Sequence, residues 1–288
     1  MATVLTPKIV EKPWGRTDLA GRYGIDGNYN GRIGEIWFED PEGKDHDLLI
    51  KLLFTSERLS VQVHPDDAAA HVSGHARGKD EAWCVIEAGP EAVIGLGLKA
   101  AVSATELERS ARDGTIVDLM DWRSVHGGDI YYSPAGTIHA IGAGLVLLEI
   151  QQNLDLTYRL FDFGRPRELH LDQGIAVSVA EPYICPASSV IVSPGHVTHR
   201  GAKFTVESLQ GAMKGLVKGS PNNSIWIIVG EASCQVNNVD LAPWSVVLCD
   251  RESELMLPRG ANAFAAYSSP DVGFEAIVQL FINQGQEL

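Results

Sequence analysis

Four side chains of this 288-residue sequence are nitrogen and oxygen donors placed on short apolar runs that a β fold could bring together. In the run SVQVHP, Gln62 and His64 are two residues apart. In an extended chain both leave one face of a sheet, while Val61 and Val63 take the other. Glu81 opens a later apolar run, EAWCVIEAG, and His139 closes the phrase GDIYYSPAGTIH. Together they offer nitrogen and oxygen donors from three separate strands, which a β-barrel interior can bring to one point. One carboxylate, two neutral imidazoles and a neutral amide would leave a bound divalent cation with formal charge +2 − 1 = +1, so it retains affinity for a water or a substrate oxygen. Donors of this kind suit Zn²⁺, and also accept Mn²⁺, Co²⁺ or Fe²⁺. Glu149 interrupts the apolar run GLVLLEIQQ. It is either a base in a site or a strand-end carboxylate facing solvent or pairing with an arginine.

Most of the chain is built of short apolar or alternating runs punctuated by Gly, Pro, Asn and Asp, such as DLLIKLLF (47–54), AVIGLGL (92–98) and DIYYSP (129–134). These have strand length and turn punctuation. Helical patterning is scarcer. SATELERSARDG (103–114) has Ser103 as N-cap with Glu106 three residues on and Gly114 beyond its end, and DDAAAHV (66–72) predicts a short helix after Pro65. The charged phrase ESEL (252–255) reads as a solvated turn. A mainly β fold with a few inserted helices follows. An approximate internal repeat sets GDIYYSPAGTIH (128–139) against ESELMLPRGANA (252–263), with Ala263 at the place of His139. EAWCVIEAG has a weaker echo in SIWIIVGEA (224–232), aligning Trp83 with Trp226 and Glu81 with Ser224. Two similar β units are therefore expected, residues 1–185 carrying the candidate ligands and residues 186–288 a degenerate copy carrying none, with the boundary in the Pro- and Ser-rich stretch near 180–200.

With 23 Lys+Arg against 37 Asp+Glu the formal net charge is −14, which disfavours a non-specific grip on nucleic acid or anionic lipid. No apolar run approaches the roughly 20 residues of a membrane helix, and the opening MATVLTPKIVEKP lacks a signal-peptide apolar stretch. Cys84, Cys185, Cys234 and Cys249 are scattered without a Cys-x-x-C, so neither a thiolate zinc site nor a disulfide framework is implied. A cytoplasmic protein is the expectation.

Gly128, Pro134, Gly136 and His139 match the second motif of the cupin barrels, and Gln62-x-His64 with the delayed Glu81 is similar to a variant of the first. With EKPWG (11–15), SVQVHPDD (60–67), GKDEAW (78–83), the long phrase SPAGTIHAIGAGLVLLEIQQNLDLTYRLFDFGR (133–165) and RELHL (167–171), the chain resembles the type I mannose-6-phosphate isomerases, in their short bacterial form. The resemblance covers most of residues 11–175. It implies two cupin-like jelly-roll units, a zinc ion (one per chain) bound by Gln62, His64, Glu81 and His139, an active-site Arg159, and Lys79 in the substrate pocket. It implies interconversion of mannose 6-phosphate and fructose 6-phosphate, with a small sugar phosphate as the partner and a monomer or homodimer as the assembly. The sequence departs from the family at NLDL (153–156) and at Ala143, which touches no implied ligand.

Such an isomerase must move a proton between neighbouring carbons through an enediol(ate), and a divalent metal stabilises the developing oxyanion. Lys79 or Glu149 would shuttle the proton, and Arg159 or Lys79 would meet the phosphate. Rival readings are a metal-dependent cupin oxygenase and a non-enzymatic sugar-binding cupin. His46, His126 and His170 read as structural, with His170 the exception to watch because it lies in RELHL; a second metal site at His71 and His75 is disfavoured by Gly74 between them. Trp14 and Trp37 are either core residues or stacking platforms for a sugar.

Overall fold

The computed structural model describes residues 2–185, 188–268 and 274–280. The fold is mainly β, with four helices and four sheets among these residues. One sheet has six strands, in the order Thr6–Arg16, Ile33–Glu39, Leu48–Phe54, Leu145–Gln152, Glu81–Ala88 and Ile130–Ser133. Facing it is a five-stranded sheet ordered Tyr158–Phe161, Val61–Val63, His139–Ile141, Val93–Leu98 and Met120–Ser124. Leu53, Trp83, Val85, Ile94, Leu96 and Leu147 fill the space between the two.

The strand LLIKLLF is buried at every position because both its faces are covered. Leu53 points into the first sandwich, whereas Leu48, Ile50, Leu52 and Phe54 point the other way. There they meet Phe204, Val206, Trp226, Ile228, Leu248 and Phe264 of a seven-stranded sheet that includes Ile225–Val229, Asn262–Ser268 and Phe204–Gln210. A fourth sheet, of five strands, closes a second sandwich around Leu209, Val217, Ile225, Ile227, Leu255 and Tyr267. The N-terminal strand Ala2–Val4 joins the seven-stranded sheet beside Val246–Cys249.

The helix Ala104–Asp113 begins where Ser103 accepts from the Glu106 N–H at 3.2 Å and ends at Gly114, in the left-handed region at φ +84°. It buries Leu107 and Ala111 against Val61, Val63 and Ile138 on the outer face of the ligand-bearing sheet. The helix Asp67–Val72 is capped by Asp66, which accepts from the Ala69 N–H. Two readings are corrected. ESEL lies in the strand Glu252–Leu257 with Ser253 and Leu255 buried, because alternate side chains turn inward. Trp226 faces the layer between the sandwiches while Trp83 faces the first interior, so the echo of EAWCVIEAG is out of register by one residue.

Candidate active site

The two sheets of the first sandwich each supply one row of functional side chains. In the five-stranded sheet Arg159 pairs with Gln62 and Gln62 with His139, so the three stand side by side across adjacent strands. His64 follows directly after the strand Val61–Val63. In the six-stranded sheet Trp37, Lys51, Glu149 and Trp83 form a cross-strand row, and Glu81 sits opposite Gln151 on the same face. Strand alternation and antiparallel register bring residues distant in sequence into one interior.

His64, Glu81 and His139 converge, with their ligating atoms all within 4.8 Å of one another, and all three are buried. The His64 Nε2 lies 3.3 Å and the His139 Nε2 3.4 Å from the Glu81 carboxylate. His64 Nδ1 is 2.9 Å from the Leu156 carbonyl and His139 Nδ1 is 2.9 Å from the Thr137 carbonyl. A carbonyl only accepts, so each Nδ1 carries the proton and each Nε2 turns a lone pair to the common point. Burial depresses both imidazoles, His139 to about 4, and the positive Lys79 adds to the effect at His64. Burial alone would raise the Glu81 carboxyl, but Lys79 and the imidazoles outweigh it and hold Glu81 well below its ordinary value. Neutral imidazoles beside an ionised carboxylate are the forms that bind a metal.

The buried Glu81 Oε2 has no hydrogen-bond partner. An acceptor of that kind is costly to bury, and a cation would satisfy it. Gln62 stands beside this point, with its Nε2 3.2 Å from His139 Nε2 and its Oε1 accepting from Ser60 at 3.0 Å. Rotating the amide by half a turn exchanges the two atoms. The donor set therefore fits a divalent cation of the first transition row. No other group of three or more His, Cys, Asp or Glu ligands occurs among the described residues, and His71 Nε2 instead meets the Ala76 carbonyl.

A cleft opens over this group. Among the residues lining it are Lys12, Lys51, Lys79, Arg159 and Arg167 on the cationic side and Glu35, Glu81, Glu149 and Asp155 on the anionic side. Lys79 reaches Glu81 at 2.9 Å, Lys51 reaches Glu149 at 3.2 Å, Lys12 reaches Glu35 at 3.5 Å, and Arg167 reaches Asp162 at 2.6 Å. Arg159 has no carboxylate partner among the described residues; its Nε donates to the Glu168 carbonyl at 3.0 Å. Burial and the like charge of Arg167 both depress it. His170 grips its backbone, with Nδ1 accepting from the Arg159 N–H at 3.2 Å and its own N–H donating to the Arg159 carbonyl at 2.8 Å.

Glu149 proves to be neither exposed nor paired with an arginine. It is buried in mid-strand, ion-paired with Lys51, and accepts from Trp83 Nε1 at 3.0 Å. Burial raises its carboxyl against the pull of Lys51. Trp14 is buried in the core and also borders the cleft, while the Trp37 ring lies 4.8 Å from the Lys51 ammonium. The sequence reading missed Lys51 and Arg167. Lys51 had a signal, being the single charge inside the apolar run LLIKLLF; Arg167 had only its place in RELHL.

The fold and this site define a β-sandwich protein with a buried His/Glu/His cation group under a charged cleft. No protein-family model matches the chain. It is 39% identical over 166 residues to mannose-6-phosphate isomerase ManA of Bacillus subtilis, covering 53% of this chain and 52% of that protein. It is 35% identical over 209 residues to the putative mannose-6-phosphate isomerase YvyI of the same organism, covering 59% and 66% respectively. The matched part thus spans about half to two thirds of these curated relatives. The solved structure of the mannose 6-phosphate isomerase from Bacillus subtilis superposes with a TM-score of 0.77 at 26% identity, over 92% of this chain and 99% of that one. Over the matched part in sequence, and over nearly its whole length in fold, the chain is similar to mannose-6-phosphate isomerases.

Proposed function

We propose that this protein is an aldose–ketose isomerase interconverting mannose 6-phosphate and fructose 6-phosphate. The observation that carries the reading is the meeting of the buried His64/Glu81/His139 group, whose Glu81 lines the cleft, with Arg159, which lines the same cleft and has no carboxylate partner among the described residues. The relatives support the choice of substrate. We assign one zinc ion per chain to Gln62, His64, Glu81 and His139, on the strength of their nitrogen and oxygen donors. When bound, the ion supplies Lewis-acid stabilisation of the oxyanion that develops on the sugar.

Arg159 binds the phosphate through charge-assisted hydrogen bonds, with Arg167 nearby as a second cation. This sets the reacting carbons toward the buried end of the cleft. Glu149, with its carboxyl raised by burial, and Lys79 are the groups that move the proton between C1 and C2. Lys51 holds Glu149 in place through the ion pair and through its own bond to Gln151 Oε1 at 2.5 Å. We further read residues 1–185 as the catalytic cupin-like unit and 186–288 as a degenerate one, in a cytoplasmic monomer or homodimer. No helix among the described residues is long and apolar enough to cross a membrane.

The test is a coupled assay with mannose 6-phosphate, run before and after treatment with a chelator. Turnover abolished by the chelator and restored by Zn²⁺ is the expected result. Full turnover in the chelated protein, or none in the zinc-loaded one, overturns the reading.

A further inference from the structure

Glu81 and Lys79 lie on the short segment 78–81, which is tied to the second sandwich at Gly78 and at Asp80. The tie begins at the turn Gly201–Lys203, between the strands His196–Arg200 and Phe204–Gln210. A Cβ built on Gly201 would stand 1.9 Å from the Tyr132 ring, so only a glycine lets the backbone approach the ring this closely. The Phe204 ring packs on Tyr132 with centroids 5.1 Å apart, and the Lys203 N–H donates to the Tyr132 hydroxyl at 3.0 Å. That hydroxyl in turn donates to Asp80 Oδ2 at 2.6 Å. Asp80, between Lys79 and Glu81, is buried, and its other oxygen accepts from the Ala135 N–H at 2.9 Å.

The second tie runs through the Lys203 side chain. Its ammonium lies 2.6 Å from Asp67 Oδ2, while Asp67 Oδ1 accepts from the Gly78 N–H at 2.7 Å and from Gln152 Nε2 at 3.0 Å. Gln152 closes the loop, since its Oε1 accepts from the Asp80 N–H and its own N–H donates to the Asp80 carbonyl, each at 3.0 Å. The segment is held at Gly78 and at Asp80 by two chains of polar contacts, and both converge on Lys203.

We infer that the second sandwich serves the site as a brace: Tyr132 and Lys203 are positioning residues that fix the backbone of Lys79 and Glu81. The brace itself rests on these contacts alone; its effect on turnover rests on the isomerase reading. Outer-shell partners of metal ligands typically change metal affinity or activity by about 10–100-fold. The variants are Tyr132→Phe, which leaves the buried Asp80 Oδ2 without a donor, and the surface change Lys203→Ala, with Lys203→Arg as the conservative control.

Amide hydrogen exchange is followed on the full chain, and Zn²⁺ affinity is measured by competition with a chromophoric chelator. In both variants exchange should quicken at residues 78–82 while the strands Ile225–Val229 and Val246–Cys249 keep their protection. Zn²⁺ affinity should fall about tenfold, and Lys203→Arg should recover most of it. Unchanged exchange at 78–82 in Lys203→Ala overturns the brace, even if Tyr132→Phe fails to fold. So does faster exchange there with Zn²⁺ affinity unaltered. A wild-type chain that binds Zn²⁺ but does not turn over mannose 6-phosphate, with the variants still weakening Zn²⁺, would remove the isomerase reading and leave the brace standing.

Discussion

A buried or half-buried guanidinium without a counterion is unfavourable, and Arg159 bears that cost next to a second guanidinium. His170 and Glu168 hold it there through its backbone and its Nε, which leaves its terminal nitrogens for an anion. If the proposed isomerase activity holds, Arg159→Ala should therefore lower kcat/KM for mannose 6-phosphate by about 10–100-fold, from roughly 1.5–3 kcal/mol for a hydrogen bond to a charged group. Affinity for added Zn²⁺ should be retained, because Arg159 contributes nothing to the His/Glu/His group. Near-normal turnover, or loss of that affinity, would remove Arg159 from this role. The Lys51–Glu149 pair obeys different arithmetic, since both partners are buried. Glu149→Gln removes the carboxylate that neutralises the Lys51 ammonium, and stability should fall by about 3–5 kcal/mol in denaturant unfolding. The paired change Lys51→Met with Glu149→Leu should regain most of that stability while remaining inactive. A double variant as unstable as the single one would show that the charge is not what the pair contributes.

At the level of strands and helices, local rules were readable wherever neighbours in sequence carried the signal. The caps at Ser103 and Gly114, the short helix after Pro65, and Gln62 and His64 on one face all follow from spacing. What spacing could not give is which sheet covers which. Glu149 reads equally as a base in a site or as a strand-end carboxylate, because nothing local says that its strand lies between Leu48–Phe54 and Glu81–Ala88, which supply Lys51 and Trp83. The echo of EAWCVIEAG in SIWIIVGEA aligns Trp226 with Trp83, yet a shift of one residue reverses the face, and only pairing and packing fix that register. Asp67 is a further case, its partner Lys203 lying on the other sandwich. That pairing, with the Gly78 N–H, pulls the Asp67 carboxyl down from 3.8 to about 2 despite some burial. A carboxylate depressed in the folded state contributes stability that is complete above its unfolded value and vanishes as pH falls through the folded one. Asp67→Asn should flatten the pH dependence of stability between about pH 4 and pH 2 by at most about 1 kcal/mol, since solvent screens a side chain this exposed. Unfolding curves of equal steepness in that window for both proteins would mean the pairing contributes nothing.

Over the whole molecule, the dominant contact is the apolar layer between the six- and seven-stranded sheets. It is built from Ile36, Ile50, Leu52, Leu148 and Ile150 on one side and Phe204, Val206, Trp226, Ile228 and Phe264 on the other. Side chains of this size each contribute about 1.5–3 kcal/mol when buried, so neither sandwich has reason to stay folded with that face in water. The N-terminal strand, paired into the seven-stranded sheet, ties the halves together again. The two halves should thus melt as one cooperative unit, in a single calorimetric transition. Leu148→Ala in the middle of the layer should cost about 2–5 kcal/mol and lower the midpoint without splitting the transition. Residues 1–185 expressed alone should self-associate through the uncovered sheet, and their segment 78–82 should exchange quickly for want of Lys203. Two resolved transitions in the intact chain, or a monomeric and protected 1–185 fragment, would mean that each half has enough core of its own. The second sandwich would then be an attachment to the site rather than one of its walls.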